Sequence, residues 1–300
     1  MTQLYHKPVL LSQSVGGLRI QPAGVYVDVT FGGGGHSREI LRHLNNEGRL
    51  IAFDQDADAK QNLKHDSRFE FIPENFRYLK QFLKLNGVSK VDGILADLGV
   101  SSHQFDETAR GFSIHGNARL DMRMDNSGGE TAADILNGRS ENELVQIFSA
   151  YGEMRNSKSL ANFIVHQRTL KPFEFTAELI DRIKSFIKGD EHRYLAQLFQ
   201  ALRIAVNKEL EALEQFLIQS LEVLKTGGRL VVISYHSLED RMVKNFMRSG
   251  NTTGEVVKDV FGNENKVFEL ITRKPIVADD EEMKLNSRSR SAHLRIAEKI

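Results

Sequence analysis

The sequence predicts an α/β protein built on a parallel, nucleotide-binding type of sheet that is interrupted by a helical insertion. Three observations predict it. A strand-like run carrying Val25, Val27 and Val29 breaks into four glycines, Gly32, Gly33, Gly34 and Gly35, and then into helical spacing at Ile40, Leu41 and Leu44. Two later strand-like runs, residues 49–54 and 91–97, end on Asp54 and Asp97, and open α/β sheets bind ligands beyond the carboxyl ends of their strands. The next convincing strand, residues 228–235, comes far later than the roughly 30 residues an ordinary strand-helix-strand unit needs. The surplus is the insertion.

Strand, glycine loop and helix together open a nucleotide-binding unit, in which ligand packs against glycine backbone near a helix N-terminus. The match to G-x-G-x-x-G is partial, because Gly32 and Gly34 fit but Ser37 holds the third position. A plain tight turn is equally compatible with these glycines. Asp54 follows the loop by about 20 residues, the spacing at which an acid accepts hydrogen bonds from ribose hydroxyls. Asp28 lies inside the first strand, just before the loop, where its charge would repel a pyrophosphate and attract an ammonium group. S-adenosylmethionine has a ribose, an ammonium and no phosphate, so it suits this site better than NAD. Asp28 has a second reading, as a carboxylate that hydrogen-bonds the loop amides.

Residues 1–24 form a leading segment that contains Pro8, Val9, Leu10 and Leu11. Residues 56–63 read as a short helix and 69–72 as a strand, and Phe76, Leu79, Phe82 and Leu83 place one apolar face on a helix over 76–85. Residues 106–129 read as a long polar loop carrying Arg110, Arg119 and Arg123. Ser140 and Glu143 have capping-box spacing ahead of a helix over 144–150, and further helices are expected over 157–167 and 177–187. This gives a discontinuous main domain, residues 1–105 and 196–300, and an inserted helical domain, residues 106–195. The crossover helix is marked by Leu210, Leu213, Leu217, Leu221 and Leu224, a packing stripe that Gly227 and Gly228 end. Two terminal strands are expected over 267–272 and 292–297. The charged residues between them, Asp279 to Glu282 and then Arg288 and Arg290, read as solvated surface.

The 300 residues are 40% hydrophobic with formal net charge zero, so a large core is affordable and any nucleic acid must be held by local basic patches. There is no cysteine, which excludes a disulfide framework, a thiolate metal site and a thiol nucleophile. No metal site is expected. No run has the length of a membrane span and no signal-peptide core is seen, so a cytoplasmic protein with no membrane partner is expected.

Several segments together resemble one family, the bacterial 16S rRNA (cytosine-4-amino) methyltransferases. The resemblance is carried by His6-Lys-Pro-Val-Leu-Leu11, Thr30-Phe-Gly-Gly-Gly-Gly-His-Ser37, Asp97-Leu-Gly-Val-Ser-Ser102, Arg110-Gly-Phe-Ser113 and Leu120-Asp-Met-Arg-Met-Asp125. It continues through Phe199-Gln-Ala-Leu-Arg-Ile-Ala-Val-Asn207, Ser234-Tyr-His-Ser-Leu-Glu-Asp-Arg241 and Asn286-Ser-Arg-Ser-Arg-Ser-Ala-His-Leu-Arg295. The chain departs from the family pattern at Gln13, at residues 193–198 and at Ser287.

The resemblance implies a Rossmann-like class I S-adenosylmethionine-dependent methyltransferase sheet with an inserted helical domain. It also implies that S-adenosylmethionine meets Gly34, Gly35 and His36 in the loop, Asp54 at the ribose, Phe76 near the adenine, and Asp97 and Gln104. The implied substrate is the exocyclic 4-amino group of a cytidine in 16S rRNA of the small ribosomal subunit.

Methylating an aromatic amine needs an acceptor for its hydrogens, and Asp97 is the catalytic candidate, with a backbone carbonyl as its rival. Pyrimidine carbon-5 chemistry normally needs the cysteine this chain lacks. Tyr235 and His236, just past the 228–235 strand, are candidates to hold the base. Arg110, Arg119 and Arg123 are candidates for phosphate contacts, with structural ion pairs as the alternative. Two other classes compete, a dinucleotide oxidoreductase and a non-catalytic ribosome-assembly binder. The sequence leaves the oligomeric state open, a homodimer included.

Overall fold

The structure is a computed structural model that describes residues 8–62, 65–99, 110–256, 258 and 266–300. Its sheet contains β1 (Val25–Asp28), β2 (Arg49–Phe53), β3 (Phe69–Ile72), β4 (Val91–Asp97), β5 (Leu224–Ser234), β6 (Phe268–Leu270) and β7 (His293–Lys299). The strand order is β3-β2-β1-β4-β5-β7-β6. Strands β1 to β5 run parallel, and β7 enters antiparallel between β5 and β6. The order reverses between β1 and β4, which makes their carboxyl ends the expected ligand crevice.

The helices in chain order are α1 (Leu11–Gly17), α2 (Gly35–His43), α3 (Leu79–Leu85), α4 (Ala132–Gly138), α5 (Glu141–Gln146), α6 (Ser157–Leu170), α7 (Thr176–Ile183), α8 (Glu191–Asn207), α9 (Glu209–Val223), α10 (Ser237–Ser249) and α11 (Asp280–Leu285). None is long and apolar enough, among the described residues, to cross a membrane. The chain divides into two compact units, Met1–Gly99 with Leu210–Ile300, and Val100–Glu209.

In the first unit, successive strand residues point to opposite faces, and both faces are buried. Val27, Ile51, Ile94 and Val232 pack with Leu79 and Leu83 of α3, Leu213, Phe216 and Leu217 of α9, and Val243 and Phe246 of α10. Tyr26, Leu50, Leu95 and Val231 pack on the other side with Val15 of α1 and Ile40 of α2. A parallel sheet covered on both faces explains why its strands read as continuous apolar runs.

The second unit has its own core, in which Ile135, Phe148, Leu160, Ile164, Phe173 and Leu179 pack with Tyr194, Leu198, Phe199 and Leu202 of α8. The insertion therefore extends beyond the expected 106–195. The apolar face of α8 fits this core, and periodicity alone does not say which core a helix joins. Lys208 adopts a left-handed conformation (φ 51°) that ends α8 before α9 begins.

Other local expectations are also revised. Residues 56–63 give a 3-10 helix, Ala57–Asn62, and Leu63 lies outside the described residues. The 76–85 helix begins as a 3-10 turn capped by Asn75, whose Oδ1 accepts from Arg77 N at 2.9 Å. The Ser140–Glu143 capping box is present, but α5 runs into a π-helix over Ile147–Tyr151, where Ser149 Oγ bonds back to Val145 O at 2.7 Å. The acidic run is not simply solvated. Asp279 caps α11, and Glu282 accepts a hydrogen bond from Leu10 N at 2.6 Å, which pins the leading segment.

Phe216 is fully buried on α9, with its ring edge-on to Phe76 at 5.5 Å between centroids. Replacing it with alanine is expected to cost about 3 to 5 kcal/mol through lost burial and a residual cavity. Urea unfolding of Phe216→Ala measures this, and a loss below 1 kcal/mol would remove Phe216 from the centre of the core.

Candidate active site

The site is built on the loop after β1. Gly32 and Gly34 take positive φ values of 49° and 69°, which glycine adopts without steric cost. Gly35 serves a close approach instead, since a Cβ there would lie 2.1 Å from Pro8 Cγ of the leading segment. Asp28, fully buried, accepts hydrogen bonds from Ser37 Oγ at 2.7 Å and Thr30 N at 3.1 Å. The geometry thus favours the loop-organising reading of Asp28 over an ammonium contact, and it explains why serine holds the third motif position. Burial raises the Asp28 pKa, opposed by His36 and these hydrogen bonds.

His36, in the first turn of α2, is buried. Its Nε2 lies 3.1 Å from Val9 O. A carbonyl only accepts, so Nε2 is the donor in that bond, and Nδ1 faces Asp97 Oδ2 at 3.7 Å.

Asp54 follows β2 directly. Its Oδ2 accepts from Gly32 N at 2.7 Å and its Oδ1 from Asp56 N at 2.9 Å, so the carboxylate is aimed by the glycine loop itself. Burial, supported by the charges of Asp56 and Asp28, lifts its pKa from 3.8 to about 6 against those two amide bonds. Phe76 is partly buried and packs on the sheet core. The β2 and β3 ends are tied by Asn75 Nδ2 donating to Gln55 Oε1 at 2.6 Å.

Asp97 ends β4 beside β1 and β5. Its amide donates to Thr30 Oγ1 at 2.6 Å, and its Oδ1 accepts from the Tyr235 hydroxyl at 2.6 Å. About a quarter of the side chain is exposed, at 23%. Burial raises its pKa and the charge of Asp28 adds to this, while His36, the Tyr235 hydroxyl and Arg288 oppose it. Tyr235 is pushed well above 10 by burial and by the Asp97 charge, so its oxygen stays protonated and donates.

The structure thus gathers Gly34, Gly35, His36, Asp54, Phe76, Asp97 and Tyr235 at the carboxyl edge of one sheet. His236 is nearby in sequence but faces its own helix, capping α10 by accepting from Glu239 N at 3.4 Å, with Nε2 3.2 Å from Glu239 Oε1. Gln104 lies outside the described residues. In the second unit, Arg110 is buried and its Nη2 donates to Arg123 O and Met124 O, both at 2.8 Å. Arg123 forks onto Asp121, at 2.8 Å from each oxygen. Those two arginines fold their own loop, which is the structural alternative. Arg119 is exposed, lies over the Phe175 ring at 5.9 Å, and has no ion pair among the described residues.

Sequence reasoning missed Thr30, Ser37 and Arg288. The signal for Ser37 was its departure from glycine at a motif position. Arg288 carried no local signal, because only the β5–β7 register, with Ser234 opposite His293, brings its segment to the site.

The sequence matches the MraW methylase family over residues 3–300. It is 58% identical over 299 residues to ribosomal RNA small subunit methyltransferase H of Cytophaga hutchinsonii, covering 99% of this chain and 100% of that protein. It is 54% identical over 296 residues to the protein of the same name from Bacteroides fragilis, covering 98% and 97%. Among solved structures, an rRNA methylase from Streptococcus thermophilus is similar at a TM-score of 0.41 and 12% identity, over 100% of this chain and 99% of that one.

Asp54 generates a pH prediction. A carboxylate accepts on both oxygens only when ionised, so if Asp54 meets the ribose of S-adenosylmethionine, affinity should be fully present above the raised pKa of about 6 and should fall as pH drops through it, by up to about tenfold per unit. Asp54→Asn should bind more weakly at neutral pH and lose the part of this dependence that Asp54 carries. Calorimetric titration across the range tests it, and identical profiles for the two proteins would remove Asp54 from the ribose.

Proposed function

The chain belongs to the MraW methylase family, and we propose that it transfers the methyl group of S-adenosylmethionine to the exocyclic 4-amino group of a cytidine in 16S rRNA of the small ribosomal subunit. The observation that carries this reading is Asp97, a carboxylate at the switch point that is held on one oxygen, partly exposed and surrounded by an acidic, cysteine-free site. A pyrophosphate at this loop would lie in the field of Asp28, Asp54 and Asp97, which disfavours a dinucleotide.

The residues fit S-adenosylmethionine. Asp54 would take the ribose hydroxyls, Gly34 and Gly35 would allow close backbone approach, Phe76 would line the adenine, and His36, Asp97 and Gln104 would complete the contacts. When bound, the group supplies a methyl on a sulfonium, an electrophile that needs no covalent enzyme intermediate. The chain's part is then orientation and proton handling.

The lone pair of a cytosine 4-amino group is delocalised into the ring. An anionic acceptor on one N–H draws that pair back toward nitrogen, and as the nitrogen gains positive charge the same acceptor takes its proton. Asp97 is that acceptor. Its raised pKa makes it more basic than an exposed carboxylate, which suits the second task.

The target base leaves any stack to reach the donor. The second unit would supply the RNA surface, and of its three candidate arginines the exposed Arg119 would meet phosphate. A neutral chain gains little from phosphate attraction alone, so the substrate is a partly or wholly assembled subunit in the cytoplasm rather than a short oligonucleotide. Deletion and complementation, read by mass mapping of 16S rRNA, test the reaction. Loss of no cytidine methylation would overturn it, and turnover on a short unstructured RNA equal to that on subunits would overturn the substrate form.

Asp97→Asn keeps the size and replaces the charged acceptor by an amide. If one charge-assisted hydrogen bond to the amine is lost, the single-turnover rate at saturating donor and RNA should fall about 30-fold to 150-fold. A wild-type rate, with any defect confined to donor affinity, would make Asp97 a binding residue only.

A further inference from the structure

This inference rests on the proposed methyl transfer and concerns which oxygen of Asp97 acts. The two oxygens differ. Oδ1 accepts the Tyr235 hydroxyl at 2.6 Å, whereas Oδ2 has His36 Nδ1 at 3.7 Å, beyond hydrogen-bond distance.

Tyr235 is held from both ends. Ile233 pairs with Asp97 across β4 and β5, so the residue two positions on emerges beside the carboxylate. The Tyr235 amide donates to Glu239 Oε2 at 2.9 Å. Its ring packs on the turn after β4, where a Cβ on Gly99 would lie 3.4 Å from it. A ring fixed in this way cannot swing out to stack on a base without giving up the bond to Asp97.

We propose that Tyr235 is a positioning residue, whose hydroxyl ties down Oδ1 of Asp97 and so presents Oδ2 to the amine of the target base. The amine nitrogen forms the N–CH3 bond with its lone pair, the S–CH3 bond breaks with its electrons left on sulfur, and an N–H proton passes to Oδ2. Atoms and charge balance without another reactant. The groups that face Asp97 are Tyr235 after β5, His36 from α2, Asp28 from β1 and Arg288 from the turn before β7, with the Thr30 hydroxyl on its amide. Of these, Tyr235 hydrogen-bonds the carboxylate itself, through its hydroxyl.

The test compares wild type, Tyr235→Phe, Asp97→Asn and the double variant in the full chain. The acceptor is small-subunit particles from cells lacking the enzyme, in single turnover from acid to neutral pH. Tyr235→Phe should be about tenfold slower at neutral pH with S-adenosylmethionine affinity unchanged. Its acid limb should move to higher pH, because Asp97 loses a donor that favours its charged form. The double variant should be no slower than Asp97→Asn. Placing 3-fluorotyrosine at 235 keeps the shape and strengthens the donor, so it should move the limb the other way, which also covers a Phe variant that folds poorly. An unmoved limb in both variants, or a defect confined to RNA binding, would overturn the inference and make Tyr235 a base platform. Absence of transfer by wild type would overturn the proposed function itself, and this inference with it.

Discussion

The carboxylate of Asp28 is the constraint on which the site depends. A fully buried carboxylate must find hydrogen-bond partners or lose its charge. Here the partners are the Ser37 hydroxyl, in the first turn of α2, and the Thr30 amide in the loop. One buried group therefore sets the path between strand and helix. Thr30 extends the link by receiving the Asp97 amide, which fixes the end of β4 against the end of β1. The glycines permit this turn, and the polar contacts select it.

The same loop aims Asp54. Its Oδ2 is oriented by the amide of Gly32, so the acid on β2 and the loop after β1 share one hydrogen bond across adjacent strands. The leading segment adds a third layer. Pro8 sits where only glycine at position 35 leaves room, Val9 O meets His36, and Leu10 N is held by Glu282 from α11. Residues from opposite ends of the chain thus brace the helix that carries His36.

Much of the fold was legible because a parallel sheet covered on both faces writes itself as short apolar runs with acids at their carboxyl ends. Asp28, Asp54 and Asp97 were found that way. What was not legible was long-range. Arg288 reads locally as a solvated cation, and only the antiparallel return of β7 beside β5 brings its charge to bear on Asp97 and Tyr235. The apolar face of α8 reads equally well as part of either core. Arg110 and Arg123 read equally as phosphate contacts or as structural ion pairs, and their guanidinium groups are committed to carbonyls and to Asp121 within their own loop.

The electrostatics of the site give these pieces a common sense. Burial raises all three aspartates, and the charge of Asp28 raises Asp54 and Asp97 further, so Asp28 makes it harder for the other two to ionise. The fold accepts this repulsion where solvated carboxylates would have relaxed it, and among the described residues hydrogen bonds, His36 and the charge of Arg288 oppose it. A ligand carrying positive charge and no phosphate relieves the repulsion on entry, whereas a polyphosphate would add to it. In the proposed reaction, selectivity for a sulfonium-bearing donor and a basic Asp97 for the amine proton would then share one cause, the placement of several acids at the ends of adjacent strands. The zero net charge of the whole chain is compatible with this, because the chemistry depends on the local field at the sheet edge rather than on the sum over the molecule.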